Sequence, residues 1–279
     1  MRLTRPTSTN NLSLAEVIAK LVRHDAVDGL LFIGSTGRAQ LSASSDYDLI
    51  VILNRSPISL RVALTYIDGR LTDVIFVDAR ELMALVQGMP GDVPAVWGEA
   101  ALLRWLRGGT IAFDRSGQLA AAQAVAAARP PDEPTENELF SAWFSINYNL
   151  RQNLRMVASD DETYLIALDL RLLYSLFDCW WYYFLLRKLP ERGEKAQVRY
   201  MQAHDPEYLA LFRACLAEGD RARRFALYRR LAELTVAPAG GLWAEDATSV
   251  LPETGIAWQA DTPDRALAFW AELLGHEDG

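Results

Sequence analysis

Cysteine is scarce in this chain, with only Cys179 and Cys215 among 279 residues. Both lie in apolar stretches of helical periodicity and read as reduced core residues, so neither a disulfide framework nor a zinc site is supported. Histidine is nearly as rare. His24, His204 and His276 are scattered, which argues against a transition-metal cluster. Long hydrophobic runs are missing too: the apolar stretch from Cys179 to Leu186 is too short to span a bilayer and is flanked by charge, so no membrane partner is expected. The residues after Met1 to Pro6 form no apolar core, so no signal peptide is expected and the cytoplasm is the expected location. Positive charge is in deficit, 28 Lys and Arg against 36 Asp and Glu, for a net charge of −8 and a pI near 5.0. Proteins that bind nucleic acid present a basic face to the phosphates, so nucleic acid is not the expected partner, although a local basic patch stays open. An acidic cleft would instead concentrate a cationic small molecule.

What the chain does have is apolar content, 51% of its residues, enough for one large core or two modest ones. Ser13-Leu14-Ala15-Glu16 is a capping box opening a helix with Leu14, Val17, Ile18, Leu21 and Val22 at 3.6-residue spacing. Strands are predicted at Gly29 to Ile33, Tyr47 to Leu53, Arg70 to Asp78 and Thr110 to Phe113. Helices are predicted near Pro57 to Asp68, at Ala79 to Gln87, at Ala95 to Arg107 and at Gln118 to Arg129. Pro130, Pro131 and Pro134 then end helical continuity, which places a domain boundary there. From Thr135 onward the periodicity is helical throughout: 135–158, 161–189, 195–203, 206–217, 221–236 and 263–274. Thr135 to Glu138 forms a second capping box. The fold class expected is α+β: a first domain over residues 1–129 with a small mixed sheet, followed by an all-helical bundle over 135–279. Trp143, Trp180, Trp181, Tyr182 and Tyr183 lie on long helices, where aromatics usually form core rather than a stacking platform.

The segment from Gly34 to Leu49 carries the most chemistry. A glycine turn, Gly34-Ser35, closes one apolar strand, and Asp46 and Asp48 stand at the head of the next. Strand side chains alternate faces, so the two carboxylates share a face, roughly 6.6 Å apart along the strand. Hard oxygen ligands in that pattern suit Mg²⁺, which takes one or two carboxylates together with waters and substrate phosphates. The turn can bring backbone N–H groups and a hydroxyl against phosphate oxygens.

Gly34-Ser35, nine residues and then Ser45-Asp46-Tyr47-Asp48-Leu49 resemble the signature of the DNA polymerase β-like nucleotidyltransferase superfamily. Arg38 falls where many small members have the arginine of Gly-Ser-x-Ala-Arg, with Gly37 standing for the alanine. Asp73, heading the run from Val74 to Val77, matches the third carboxylate of the family. Leu106 to Gly117 is similar to a segment that follows the catalytic strands in aminoglycoside-type members, with Phe113 in place of the usual tyrosine. The matches cover roughly the first 120 residues, and their joint spacing is more specific than any one alone.

The resemblance implies an enzyme of nucleotidyl transfer, EC 2.7.7-type, with Asp46, Asp48 and Asp73 as catalytic residues and ligands of Mg²⁺. It implies a nucleotide site at Gly34, Ser35, Arg38 and Ser45, joined by Lys188 or Lys195 from the helical half. The expected partners are ATP or another nucleoside triphosphate and a small-molecule acceptor whose hydroxyl receives AMP, in the manner of aminoglycoside resistance enzymes. Asp73, Glu136, Glu138 or Asp169 could serve as the base, and a homodimer stays open. Two other readings belong to different classes. One is a regulatory or protein-modifying (AMPylating) member of the fold. The other is a helical ribonuclease of the HEPN type, prompted by Arg199 followed five residues later by His204, although Tyr200 replaces the polar residue usual after the arginine.

Overall fold

The computed structural model describes residues 12–34, 36, 41–42, 44–88, 97–131, 133–190, 193–253 and 257–274. The chain divides into two units, residues 1–132 and 133–279.

The first unit opens with α1 (Leu14–Arg23), whose capping box is formed: the Glu16 amide donates to Ser13 Oγ, and the Ser13 amide donates to Glu16 Oε2 at 2.8 Å. Then come β1 (Val27–Ile33), β2 (Tyr47–Leu53), β3 (Val62–Ile67) and β4 (Arg70–Asp78). They are followed by α2 (Ala79–Gln87), α3 (Glu99–Gly108), β5 (Thr110–Asp114) and α4 (Gln118–Ala128). The strands form one mixed sheet in the order β3-β4-β2-β1-β5, with β2 and β4 parallel and the other pairs antiparallel.

Alternation along the strands divides the core between two faces. Val27, Leu30, Leu49, Val51 and Val74 form one buried layer, packed by Ile18, Leu21 and Val22 of α1. Leu31, Ile50, Ile52 and Val77 face the other way onto Leu82 and Leu85 of α2, Leu106 of α3 and Leu119, Ala122 and Ala126 of α4. With alternate residues on opposite faces, Asp48 shares the side of Ile50 and Ile52, and Asp73 shares that of Ile75 and Val77. All three sequence-identified carboxylates therefore sit on the face that carries α2 to α4.

The helix expected near Pro57 to Asp68 is not there; this stretch is the edge strand β3, paired antiparallel to β4 from Val62 opposite Ile75 to Ile67 opposite Arg70. Val62, Leu64 and Tyr66 alternate with period two, and Asp68 and Gly69 both take positive φ, 53° and 71°. An Asp-Gly pair between alternating runs is the usual two-residue hairpin turn. Tertiary pairing with β4 outweighs any local helical tendency. At the next helix, α3 begins at Glu99, later than the Ala95 expected, and residues 95 and 96 lie outside the described residues.

Two residues of the glycine-rich segment after α3 serve the fold. Asp114 caps α4, its Oδ1 accepting the Gly117 amide at 3.0 Å and its Oδ2 the Ala120 amide at 2.8 Å. Arg115 donates to Val27 O at 3.0 Å and to Val22 O at 2.7 Å, joining the end of β5 to α1 and β1.

The second unit holds α5 (Glu136–Val157), α6 (Glu162–Leu186), α7 (Glu194–His204), α8 (Pro206–Ala217), α9 (Arg221–Val236) and α10 (Thr262–Leu273). The capping box at Thr135 and Glu138 is formed. Its core gathers Ile146 and Leu150 of α5, Leu168, Leu172 and Leu176 of α6, Tyr208 of α8 and Tyr228 and Leu231 of α9. Of the aromatic set, Trp180 and Tyr183 are buried, Trp143 and Tyr182 pack against the core, and Trp181 stays on the surface. Cys179 and Cys215 are unpaired and buried, and burial pushes the Cys215 thiol up to about 11, so both are inert core residues.

Candidate active site

The sheet topology brings three chain ends to one place. Because β2 and β4 run parallel, their first residues lie at the same end of the sheet, with Tyr47 beside Thr72 and Asp48 beside Asp73. Antiparallel β1 finishes at that same end, placing Ile33 opposite Asp48, and Gly34 follows at once. Asp46 precedes the first residue of β2. Neighbouring strands are about 4.8 Å apart, so Asp48 and Asp73 are at one level on adjacent strands and Asp46 is one pleat before them. All three are partly exposed, while Leu49, Ile50, Thr72 and Val74 behind them are buried. The carboxylates are thus held by rigid backbone at the boundary between core and solvent.

Gly34 takes φ +63°, and a Cβ added there would stand 2.6 Å from Asp48 Oδ2. Both facts call for glycine: an L side chain would strain the backbone and push the carboxylate aside. The next ordered contact comes from Thr36, a buried residue whose amide donates to Ile33 O at 3.2 Å and whose Oγ1 accepts the Asp48 amide at 2.7 Å. The turn after β1 is therefore tied directly to the backbone of the central aspartate. Ser35 and Arg38 lie outside the described residues.

Ser45 closes a small loop before Asp46. Its amide donates to Ser42 O at 3.1 Å, and its hydroxyl accepts the Ser42 amide at 3.1 Å. Arg70, the first residue of β4, donates Nη1 to Ser42 O at 2.7 Å and to Ser45 O at 3.0 Å. Tyr47, on the opposite side of β2 from the carboxylates, donates its hydroxyl to Asp68 Oδ2 at 3.3 Å, and burial pushes the phenol's pKa up. Asp68 also accepts the Leu14 amide at 3.0 Å. The start of β2 is in this way fastened to the β3–β4 hairpin and to α1. Thr36 and Arg70 are the site-shaping residues that sequence reasoning missed. A hydroxyl two residues after a strand-ending glycine was the available signal for Thr36; Arg70 had none beyond its place after the Asp-Gly turn.

Gly34, Ser45, Asp46, Asp48 and Asp73 are therefore brought together. Lys188 lies in the second unit, exposed just after α6 with φ 51°, where its amide closes the helix on Leu185 O at 2.9 Å. Among the other candidate bases, Glu138 is engaged in its capping box and Asp169 is forked by Arg221, whose hydrogen bonds hold its carboxyl below the usual range. In the ribonuclease-like pattern, His204 Nδ1 lies 2.9 Å from Tyr200 O and its ring stacks on Tyr200, 4.2 Å between centroids. That is the geometry of a helix end.

Among the described residues no group of three His, Cys, Asp or Glu side chains is close enough to hold a metal by itself. The donor set nonetheless fits Mg²⁺, which needs only one or two carboxylates when phosphates and waters complete its shell. No described helix is long and apolar enough to cross a membrane.

No family model matches the chain, and no curated protein matches it. Among solved structures it is similar to the crystal structure of a nucleotidyltransferase-like protein from Exiguobacterium sibiricum, at 15% identity and a TM-score of 0.41, over 82% of this chain and 76% of that one. A likeness this loose adds no weight to the geometry.

Proposed function

We propose that the first unit is the catalytic domain of a Mg²⁺-dependent nucleotidyltransferase that moves a nucleoside monophosphate, AMP in the simplest case, from a nucleoside triphosphate to a hydroxyl of a small molecule. One observation carries the reading: Asp46, Asp48 and Asp73 share one sheet face, Asp48 and Asp73 at one level and Asp46 one pleat before them, beside a glycine turn bonded to the central aspartate. Backbone pairing of β2 with β4 holds these oxygen donors at one end of the sheet.

Asp46 and Asp48 would hold the metal, with Asp73 completing the set. When bound, Mg²⁺ supplies charge neutralisation for the triphosphate and its leaving group. The Gly34-Ser35 turn, with Arg38 and Ser45, binds the phosphates through N–H groups, hydroxyls and a cation, with no side chain at Gly34 to keep the oxygens away. Asp73 takes the proton of the acceptor hydroxyl. The acceptor oxygen then bonds to the α-phosphorus while the bond from that phosphorus to the bridging oxygen breaks, and pyrophosphate leaves with the electron pair. Positioning and electrostatics supply most of the rate in such chemistry.

The second unit is assigned the acceptor. An acidic chain favours a cationic acceptor of the aminoglycoside kind, a class whose modification confers antibiotic resistance. The test incubates the protein with Mg²⁺, each α-labelled nucleoside triphosphate, and panels of aminoglycosides, lincosamides, tRNA and protein lysate. Label in a small-molecule fraction together with release of pyrophosphate is expected. Label on protein alone would shift the acceptor class, and no transfer from any nucleotide would overturn the reading.

A further inference from the structure

The outward side of α6 is unusual for a helix on a protein surface. From residue 165 to 186 every exposed residue is a large apolar or aromatic one: Ile166, Leu170, Leu173, Tyr174, Phe177 and Trp181. They are between 36% and 63% exposed. At 3.6 residues per turn the six fall within an arc of about 100°, the width of a stripe that faces a core. The charges beside it are already engaged. Asp169 is forked by Arg221, Arg171 donates to Asn149 Oδ1 and Asn153 Oδ1 at 2.9 and 3.1 Å, and Asp178 accepts from Asn149 at 2.9 Å. All three are partly buried at the margins of the stripe.

The spacing of the stripe says what would fit it. Between successive members the intervals are four, three, one, three and four residues, which read the same in both directions about a point between Leu173 and Tyr174. The N-terminal half is aliphatic and the C-terminal half aromatic. A copy of the same helix laid antiparallel across that point would pair Ile166 with Trp181, Leu170 with Phe177 and Leu173 with Tyr174, each an aliphatic side chain against a ring. An isologous two-fold contact requires this kind of self-complementarity, in which residue i meets j and j meets i.

We infer that α6 is the seam of a two-fold homodimer, with the occupant of its apolar face being α6 of a second copy, crossed antiparallel at Leu173 and Tyr174. The size is adequate. The six side chains expose roughly 600 Å² per copy, so a pair covers about 1,200 Å², the lower edge of stable interfaces. As a bare surface, roughly 600 Å² would be at the upper end for a monomer's largest apolar patch. The half-buried Asp169, Arg171 and Asp178 would form a polar rim. This inference does not depend on the activity proposed for the first unit.

The test uses the full chain. Light scattering and sedimentation at micromolar concentration should give twice the 31.2 kDa of one chain. Leu173→Glu, which carries a carboxylate into the centre of the seam, should raise the dissociation constant about 100-fold or more while leaving far-UV circular dichroism unchanged. Should that variant lose its helical signal, register decides instead. A preparation of Leu170→Cys mixed with one of Phe177→Cys, treated with a short bismaleimide, should crosslink several-fold more than either alone, because residue 170 meets residue 177 only across the two-fold. The native thiols Cys179 and Cys215 are buried and give little background. A monomeric wild-type chain, a folded Leu173→Glu variant of unchanged mass, or a mixture that crosslinks no more than its components would each overturn the inference.

Discussion

The two units place their charged side chains differently. In the first, Asp46, Asp48 and Asp73 are set at one end of a buried sheet, like beside like, at a level where solvent reaches them. In the second, charged groups between helices are hydrogen-bonded within the bundle: Asp169 is paired with Arg221, Asp178 and Arg171 bond to Asn149, and Arg187 donates to the carbonyls of Tyr183, Leu234 and Thr235. A satisfied network rigidifies a bundle. The proposed function places the transfer chemistry in the first unit, and four sets of substitutions can break or sharpen the comparison.

The largest effect is expected for Asp48→Asn or Asp46→Asn. Each should cut transfer by about 1,000-fold or more, since stabilisation of transition-state charge at such a site is worth several kcal/mol. Thermal unfolding should show the fold intact, because both side chains are partly exposed. Transfer within about tenfold of wild type would remove the carboxylates from the mechanism.

Gly34→Ala comes next. The new Cβ meets Asp48 Oδ2, and φ +63° strains any L side chain. A stability loss of about 1–2 kcal/mol is expected, with activity falling further than that loss explains because the carboxylate itself is displaced. Denaturant titration beside a rate assay separates the two. An active Gly34→Ala enzyme would mean that Asp48 tolerates movement.

Thr36→Val keeps the shape and removes the acceptor for the Asp48 amide. A lost hydrogen bond of this kind is worth about 1 kcal/mol, so activity should fall by up to about tenfold. A Thr36→Ser variant, which retains the hydroxyl, should recover most of it. Failure of that rescue would point to packing by the methyl group instead.

The smallest effect concerns the second unit. Burial raises the Asp178 pKa, against the hydrogen bond from Asn149. A carboxyl raised on folding favours the folded state at low pH, and its contribution is lost as pH rises through the folded value. Asp178→Asn, which keeps an acceptor for Asn149, should therefore melt about 2 °C higher than wild type near pH 7.5. The gain should shrink toward pH 4, as wild-type Asp178 takes up its proton. An equal gain at both values would show that ionisation is not the cause.

Much of this architecture was legible because it rests on local chemistry. Ser13 and Glu16, Thr135 and Glu138, and the proline cluster at 130–134 mark element ends by side-chain bonding and blocked φ, and the corresponding helices begin and end within a few residues of expectation. Strands β1, β2, β4 and β5 announced themselves as apolar runs. Strand β3 did not, because its outward residues Val62, Leu64 and Tyr66 are apolar and exposed, blurring the in-out alternation that identifies an edge strand. Its pairing with β4 is a long-range event, and only the Asp68-Gly69 turn signals it locally. The aspartates were readable from spacing. The common level of Asp48 and Asp73 was not, since it follows from the parallel register of β2 with β4, which no local pattern encodes. Thr36 and Arg70 stayed hidden for the same reason: each acts through a backbone group more than ten residues away.

Metal-dependent nucleotide binding tests the carboxylate row most directly. Calorimetric titration of the full chain with a non-hydrolysable nucleoside triphosphate, with Mg²⁺ and then with excess chelator, is expected to show binding that needs the metal in wild type and is weakened at least tenfold, about 1.4 kcal/mol, in Asp48→Asn. Equal affinity with and without Mg²⁺, unchanged by Asp48→Asn, would contradict a catalytic role for Asp46, Asp48 and Asp73.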